Sequence, residues 1–211
     1  MTDNIDKYNK GNATVKNGAD DQKSDKTDNL ENNIEDNERK MVDVIIPTYR
    51  PAKEFGELLH RLEKQEYRPN RILVMNTGKE YWNSEWENYP LLEVHHLDQK
   101  DFDHGGTRKR AAELSTADIM VFMTQDALPA DRKIIGNLVR AVSRNSGTGA
   151  AYARQLPNAD CRFLERYTRS FNYPEQSSVK SLSDVETYGI KTYFCSNVCA
   201  AYDREIYQKI G

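Results

Sequence analysis

No stretch of apolar residues in this sequence is long enough to cross a bilayer, and the N-terminus lacks the charged-then-apolar pattern of a signal peptide. Both absences point to a cytoplasmic protein. A basic excess is missing too. The formal charge is −3 over 211 residues, whereas a general nucleic-acid binder needs surplus cations to displace counterions from phosphates. No nucleic-acid partner is therefore expected. Cysteine is scarce: Cys161, Cys195 and Cys199 are an odd number without CxxC spacing, so reduced thiols are expected rather than a disulfide or a zinc site. Neither GxGxxG nor a GxxxxGK(S/T) loop occurs, which leaves dinucleotide dehydrogenases and P-loop NTPases unsupported. No internal repeat is visible.

What is present divides unevenly. Residues 1–40 are crowded with Asp, Asn and Lys, hold almost no large apolar side chains and show neither strand nor helix periodicity, so a disordered tail is expected there. With ten acidic and seven basic residues, the tail accounts for the whole formal charge, and residues 41–211 are neutral overall. That second part is long enough for one domain, since single cores span roughly 100 to 200 residues.

Val42–Pro47 is a β-branched apolar run fit for a strand buried on both faces. Pro51 stands where a helix would begin, with Phe55, Leu58, Leu59 and Leu62 at helical spacing. Further strands are predicted over Arg71–Met75, Leu92–Leu97, Asp118–Met123, Gly149–Ala153 and Asn197–Tyr202. Helices are predicted over Thr107–Ser115, opened by Gly105-Gly106, and from Ile134, where Ile135, Leu138, Val139 and Val142 complete a buried stripe opposite Arg132, Lys133, Arg140 and Arg144. This alternation predicts an α/β sandwich, Rossmann-like, with a mostly parallel central sheet.

In such sheets ligands gather at the carboxyl ends of strands. Four segments fall there: Pro47–Arg50, Asn76–Gly78, His104–Arg108 and Thr124–Asp126. A carboxylate just past a buried strand is held by the sheet and open to a cleft, so Asp126 is a candidate Mg²⁺ or Mn²⁺ ligand, the rest of the shell being phosphate oxygens and water. It could equally cap the turn before Pro129. Gly105-Gly106 allows close backbone approach, the helix behind it offers free N–H groups to phosphate, and Arg108 adds a fork of donors. The plain alternative is a turn and a solvated charge. His60 belongs to no motif; His95 and His96 are neighbours on a predicted strand, face opposite ways and cannot readily share a metal.

Taken in order, the segments VIIPTY (44–49), FDHGGTR (102–108), TQDA (124–127), RQLP (154–157), FNYP (171–174) and Ser196-Asn197 resemble the bacterial rhamnosyltransferase branch of family 2 glycosyltransferases, over about residues 42–211. The resemblance implies a GT-A nucleotide-diphospho-sugar transferase domain over 41–211. It implies an inverting transfer of rhamnose from dTDP-rhamnose to a polysaccharide or lipid-linked glycan, as in cell-wall polysaccharide biosynthesis. Pro47, Thr48, Tyr49, Asn76, Gly78, His104, Gly105, Gly106, Arg108, Gln125 and Asp126 would form the donor side, with Asp126 as the metal ligand. Arg154, Gln155, Asn172, Tyr173, Ser196 and Asn197 would form the acceptor side. Phe171 and Tyr173 could equally be core aromatics, and Lys180 either a ligand charge or a solvated one.

On this resemblance the metal and Arg108 neutralise charge growing on the departing diphosphate, a carboxylate takes the proton of the attacking hydroxyl, and the sugar passes through an oxocarbenium-like state. The Glu-Asp pair that supplies the base in the family is expected beyond Gly211, so the chain holds no catalytic base, and loss of one costs about 10² to 10⁴ in rate. A nucleotide-sugar-binding fragment that transfers nothing is the alternative. A nucleotidyltransferase is a third reading, but the Gly-rich basic loop it needs is missing from Pro47–Arg50. Lys109 stands where the family commonly has Asn. The resemblance also admits peripheral membrane association at the inner face and a homo-oligomer.

Overall fold

A computed structural model describes residues 39–157 and 161–210. The disorder expected of residues 1–40 falls almost wholly outside them. In chain order the strands are β1 (Val42–Tyr49), β2 (Arg71–Thr77), β3 (Leu92–Leu97), β4 (Ile119–Met123), β5 (Ala150–Tyr152) and β6 (Cys199–Asp203). The helices are α1 (Phe55–Glu63), α2 (His104–Leu114), α3 (Ile134–Ser143), α4 (Phe163–Asn172), α5 (Val185–Tyr188) and α6 (Arg204–Ile210).

The strands make one six-stranded sheet in the order β3-β2-β1-β4-β6-β5. Pairings among β1 to β4 are parallel, and β6 runs antiparallel to both β4 and β5. Parallel strands covered on both faces read as unbroken apolar runs, and alternate residues of β1 and β4 supply two separate cores. Val44, Ile46, Val121 and Met123 pack with Phe55, Leu58, Leu59 and Leu62 of α1 and with Ile135, Leu138 and Val142 of α3. Ile45, Met120 and Phe122 face the other way, toward Ala111 and Ala112 of α2 and Tyr207 of α6. Burying helices on both sides fixes which strand ends stay open.

Several boundaries differ from the sequence reading. Helical geometry starts at Phe55, four residues after Pro51, because the Ala52 and Lys53 carbonyls first accept turn-type bonds from Phe55 and Gly56. β1 runs past Pro47 to Tyr49. N–H and C=O of one residue point to the same side of a strand and alternate along it. Pro47 shares its side with Tyr49, facing β4, and pairing with β4 has already ended at Ile45↔Phe122. The missing N–H of Pro47 therefore costs no ladder bond. Trp86 is buried against Phe55 at 5.1 Å and Trp82 at 5.0 Å between ring centroids.

Candidate functional site

The sheet order places β2 and β4 on opposite sides of β1, so the chain reverses its winding between β1 and β4, where a crevice opens at the carboxyl ends. Met123 pairs with Cys199 and Tyr152 with Ala200 in antiparallel register. The end of β5 and the start of β6 thus reach the same edge as the ends of β1, β2 and β4. Thr124 N–H donates to Val198 O at 3.1 Å, which sets Ser196-Asn197 beside the turn that carries Asp126.

Asp126 is exposed, and its carboxylate makes no hydrogen bond or ion pair among the described residues. The turn there is closed by backbone alone, Ala127 N–H to Thr124 O at 3.1 Å, so the side chain does not serve as a cap. Among the described residues no three His, Cys, Asp or Glu side chains gather into a metal cage. A site that shares its ion with a ligand's phosphates is the kind a lone, exposed carboxylate fits.

Gln125 is engaged. Its Oε1 accepts the Tyr49 N–H at 2.8 Å and its Nε2 donates to Tyr49 O at 3.1 Å. Tyr49 itself is exposed, while Thr48 and Asn76 are buried. Expected as pocket lining, Thr48 and Asn76 instead brace the edge from beneath, because Asn76 spends its amide internally. Its Oδ1 accepts from Thr48 Oγ1 at 2.9 Å, and its Nδ2 donates to Gly78 O at 3.2 Å and meets His96 Nδ1 at 3.0 Å. Arg50, which closes the predicted Pro47–Arg50 segment but was given no role of its own, and Tyr81, which sequence reasoning missed, stand above: the Arg50 guanidinium lies 5.1 Å from the Tyr49 ring centre and 4.4 Å from that of Tyr81.

The expectation of free N–H groups at the start of α2 is corrected. The Asp103 carboxylate accepts from Gly105 N–H at 2.9 Å and Gly106 N–H at 2.8 Å, so the helix begins at His104 with its own N-cap. A Cβ on Gly106 would lie 2.2 Å from Asp103 Oδ2, which explains the glycine by close approach of this cap rather than of a ligand. Arg108 is half-buried. Its Nη1 donates to His104 O at 2.8 Å, and its buried Nε has no partner.

Among the residues expected on the acceptor side, Gln155 Nε2 donates to Ser196 Oγ at 3.1 Å and to the Tyr173 hydroxyl, which in turn donates to Ser196 Oγ at 2.9 Å. Arg169 Nη1 donates to Gln155 Oε1 at 2.7 Å. These groups flank a cavity of about 520 Å³ that Asn172, Thr168 and Arg162 also line. Arg169, Thr168 and Arg162 were not read from the sequence. The signal was there in Phe163, Tyr167 and Phe171 at helical spacing, with Glu165 and Arg169 one turn apart. Tyr173 is core, whereas Phe171 is exposed, with the Lys191 ammonium 3.3 Å from its ring centre. Arg154 pairs with Glu175 at 3.4 Å. Asn197 Oδ1 accepts from the Tyr202 hydroxyl, a group that burial holds in its protonated form by raising its pKa above the ordinary value. Lys180 is neither solvated nor free for a ligand: it donates to Lys191 O at 2.7 Å and Phe194 O at 3.3 Å. The cysteines are free thiols, and burial pushes Cys199 up to about 12.

A parallel α/β core with an antiparallel edge and an exposed carboxylate at the tip of a central strand defines a GT-A domain. The same fold is found in a mannosyltransferase of Pyrobaculum calidifontis solved with GDP-Man and Mn²⁺ (TM-score 0.59, 21% identity, 82% of this chain and 47% of that one). It also occurs in TarS of S. aureus (TM-score 0.56, 16% identity, 81% and 49%). The chain belongs to glycosyl transferase family 2, whose model matches residues 43–211. It is 38% identical over 177 residues to the O-antigen chain rhamnosyltransferase RfbN of Salmonella typhimurium and 29% identical over 170 residues to WbaN of Salmonella anatum. It spans about half the length, 54%, of both relatives and is covered to 81% and 80% itself. Among the described residues no helix is long and apolar enough to cross a membrane.

Proposed function

We propose that this chain is the donor-binding part of an inverting glycosyltransferase that moves rhamnose from dTDP-rhamnose to a polysaccharide or lipid-linked glycan. On the same reading the reaction runs in the cytoplasm, at the inner face of the membrane. The observation that carries the proposal is Asp126: an unpartnered, exposed carboxylate at the tip of β4, beside the crevice between β1 and β4. Asp126 would hold a Mg²⁺ or Mn²⁺ ion jointly with the donor diphosphate, and the bound ion would act as a Lewis acid toward the leaving group.

The remaining roles fall to side chains. Tyr49 offers its exposed ring to the nucleoside, and Gly78 lets the chain turn close beside it. The Arg108 guanidinium, with an orphaned Nε–H, supplies positive charge to the departing diphosphate. His104, exposed at the first turn of α2, borders the same side. The Gln155–Tyr173–Ser196 network, with Asn172, Arg154 and Asn197 around it, would orient the acceptor hydroxyl. The identity to rhamnosyltransferases supports rhamnose over other sugars.

Titration of the purified chain with dTDP and UDP, each with and without Mn²⁺, tests the assignment. Binding of dTDP that tightens with Mn²⁺ is expected. Asp126→Ala should abolish that metal-dependent gain, and an unchanged manganese response would remove Asp126 from the site. Turnover by the chain alone separates transfer from binding without transfer.

A further inference from the structure

Pairing between β1 and β4 stops at Ile45↔Phe122. Beyond it Pro47 has no N–H to give, and the two strands part to form the crevice. At Tyr49, the next residue facing β4, the ladder resumes through a side chain: the Gln125 amide accepts from Tyr49 N–H and donates to Tyr49 O, at 2.8 and 3.1 Å. The carboxamide answers both backbone groups at once, its oxygen accepting and its nitrogen donating. A carboxylate of the same length would accept the N–H and oppose the carbonyl.

What lies immediately past this rung is the strained part of the edge. Arg50 is the one non-glycine residue with positive φ among the described residues, at 47°, a conformation that persists only when its surroundings over-determine it. Gln125 anchors it from one side. From the other, Arg50 Nη2 donates to the Tyr81 hydroxyl at 2.7 Å. Tyr81 is brought back over the edge by Gly78, whose φ is 81° and where an added Cβ would stand 2.9 Å from the Tyr81 ring. The result is a cluster of planar groups, Tyr49 and Tyr81 edge to face at 6.2 Å with the guanidinium against both, 38% and 40% of the two tyrosines being exposed. Planar rings and guanidinium faces are what a nucleobase stacks on.

We infer that Gln125 is a positioning residue: it locks the Tyr49–Arg50–Tyr81 seat for the donor's base to the turn that carries Asp126. The inference rests on the donor-site reading above and deepens it, adding Arg50 and Tyr81 to the base-contacting groups and assigning Gln125 to backbone rather than to ligand. Base and diphosphate belong to one molecule, so their two seats must keep a fixed separation. Gln125 and Asp126 are adjacent, and the rung turns that adjacency into a strut.

Two measurements on the full chain test it. In ligand-free protein, Gln125→Ala should raise amide hydrogen exchange at Tyr49 about tenfold, while Val44 and Ile45 deeper in β1 keep their protection. In titration with dTDP, Gln125→Met, which removes the rung without adding charge beside Asp126, should weaken binding about tenfold with the melting temperature and the Mn²⁺-induced gain both as in the unaltered chain. A purely architectural role would lower the melting temperature and leave affinity alone. Unchanged exchange at Tyr49, or a Met variant that binds dTDP as tightly as the parent, overturns the inference. If the unaltered chain binds neither dTDP nor UDP, the donor-site reading falls and takes the base seat with it. The exchange measurement still decides whether Gln125 holds Tyr49.

Discussion

Asn76 shows how a single side chain can look like a ligand contact and be a joint instead. Its amide has one acceptor and two donor hydrogens, and Thr48, Gly78 and His96 take them all. Because Asn76 Nδ2 is a donor, His96 Nδ1 must be the bare nitrogen, and the imidazole must be neutral. Burial holds the His96 pKa below its ordinary value, Lys79 and His95 add to this and Glu87 opposes it. A depressed folded-state pKa means the contribution is complete above the ordinary histidine value and is lost as pH falls through the folded one. Melting temperature should therefore drop between about pH 7.5 and about pH 5, and His96→Phe should flatten that part of the profile. The same drop in the Phe variant would assign it to other groups.

At the scale of elements, α2 and α4 departed most from expectation. The α2 prediction placed Gly105-Gly106 before the helix, as a phosphate loop. Asp103 captures both N–H groups, and its negative charge sits well against the positive end of the helix dipole. Asp103→Ala should cost about 1 kcal/mol of stability, read as a shift in the denaturation midpoint at unchanged slope, and no loss would mean the cap is idle. In α4, Phe163, Tyr167 and Phe171 lie exposed, while Leu164, Glu165, Thr168, Arg169 and Asn172 line the cavity. An apolar stripe turned outward defeats any reading that assumes apolar means inside, which is why this helix went unread.

On the scale of the whole molecule, the sheet has a working edge and a holding edge. At the amino ends Asp43, fully buried, takes Arg71 Nη2 at 2.9 Å and Ser115 Oγ at 2.7 Å, and Arg71 also reaches Glu93 at 2.9 Å. Removing one member of a buried ion pair leaves an uncompensated charge. Arg71→Met should cost roughly 3 kcal/mol by chemical denaturation and leave dTDP affinity unchanged at temperatures where the variant is folded. A fall in affinity there would show that the two edges are coupled.

The core was legible because strands buried on both faces and a one-sided helix stripe both leave their period in the order of residues. Val42–Pro47, Asp118–Met123 and the Ile135–Val142 stripe each lie where expected, within a residue or two. The strand-end segments were legible for the same reason, since a buried run that stops abruptly in polar residues marks the open edge of a sheet. Which of those polar groups stay exposed at the edge and which bond one another was decided only in three dimensions. Local sequence carries no record that Gln125 meets the backbone of Tyr49, 76 residues away, or that Asn76 turns under the edge toward His96. Hydrogen-bonding partners are chosen by distance after the chain has folded, whereas the periodicity that folds it is written residue by residue.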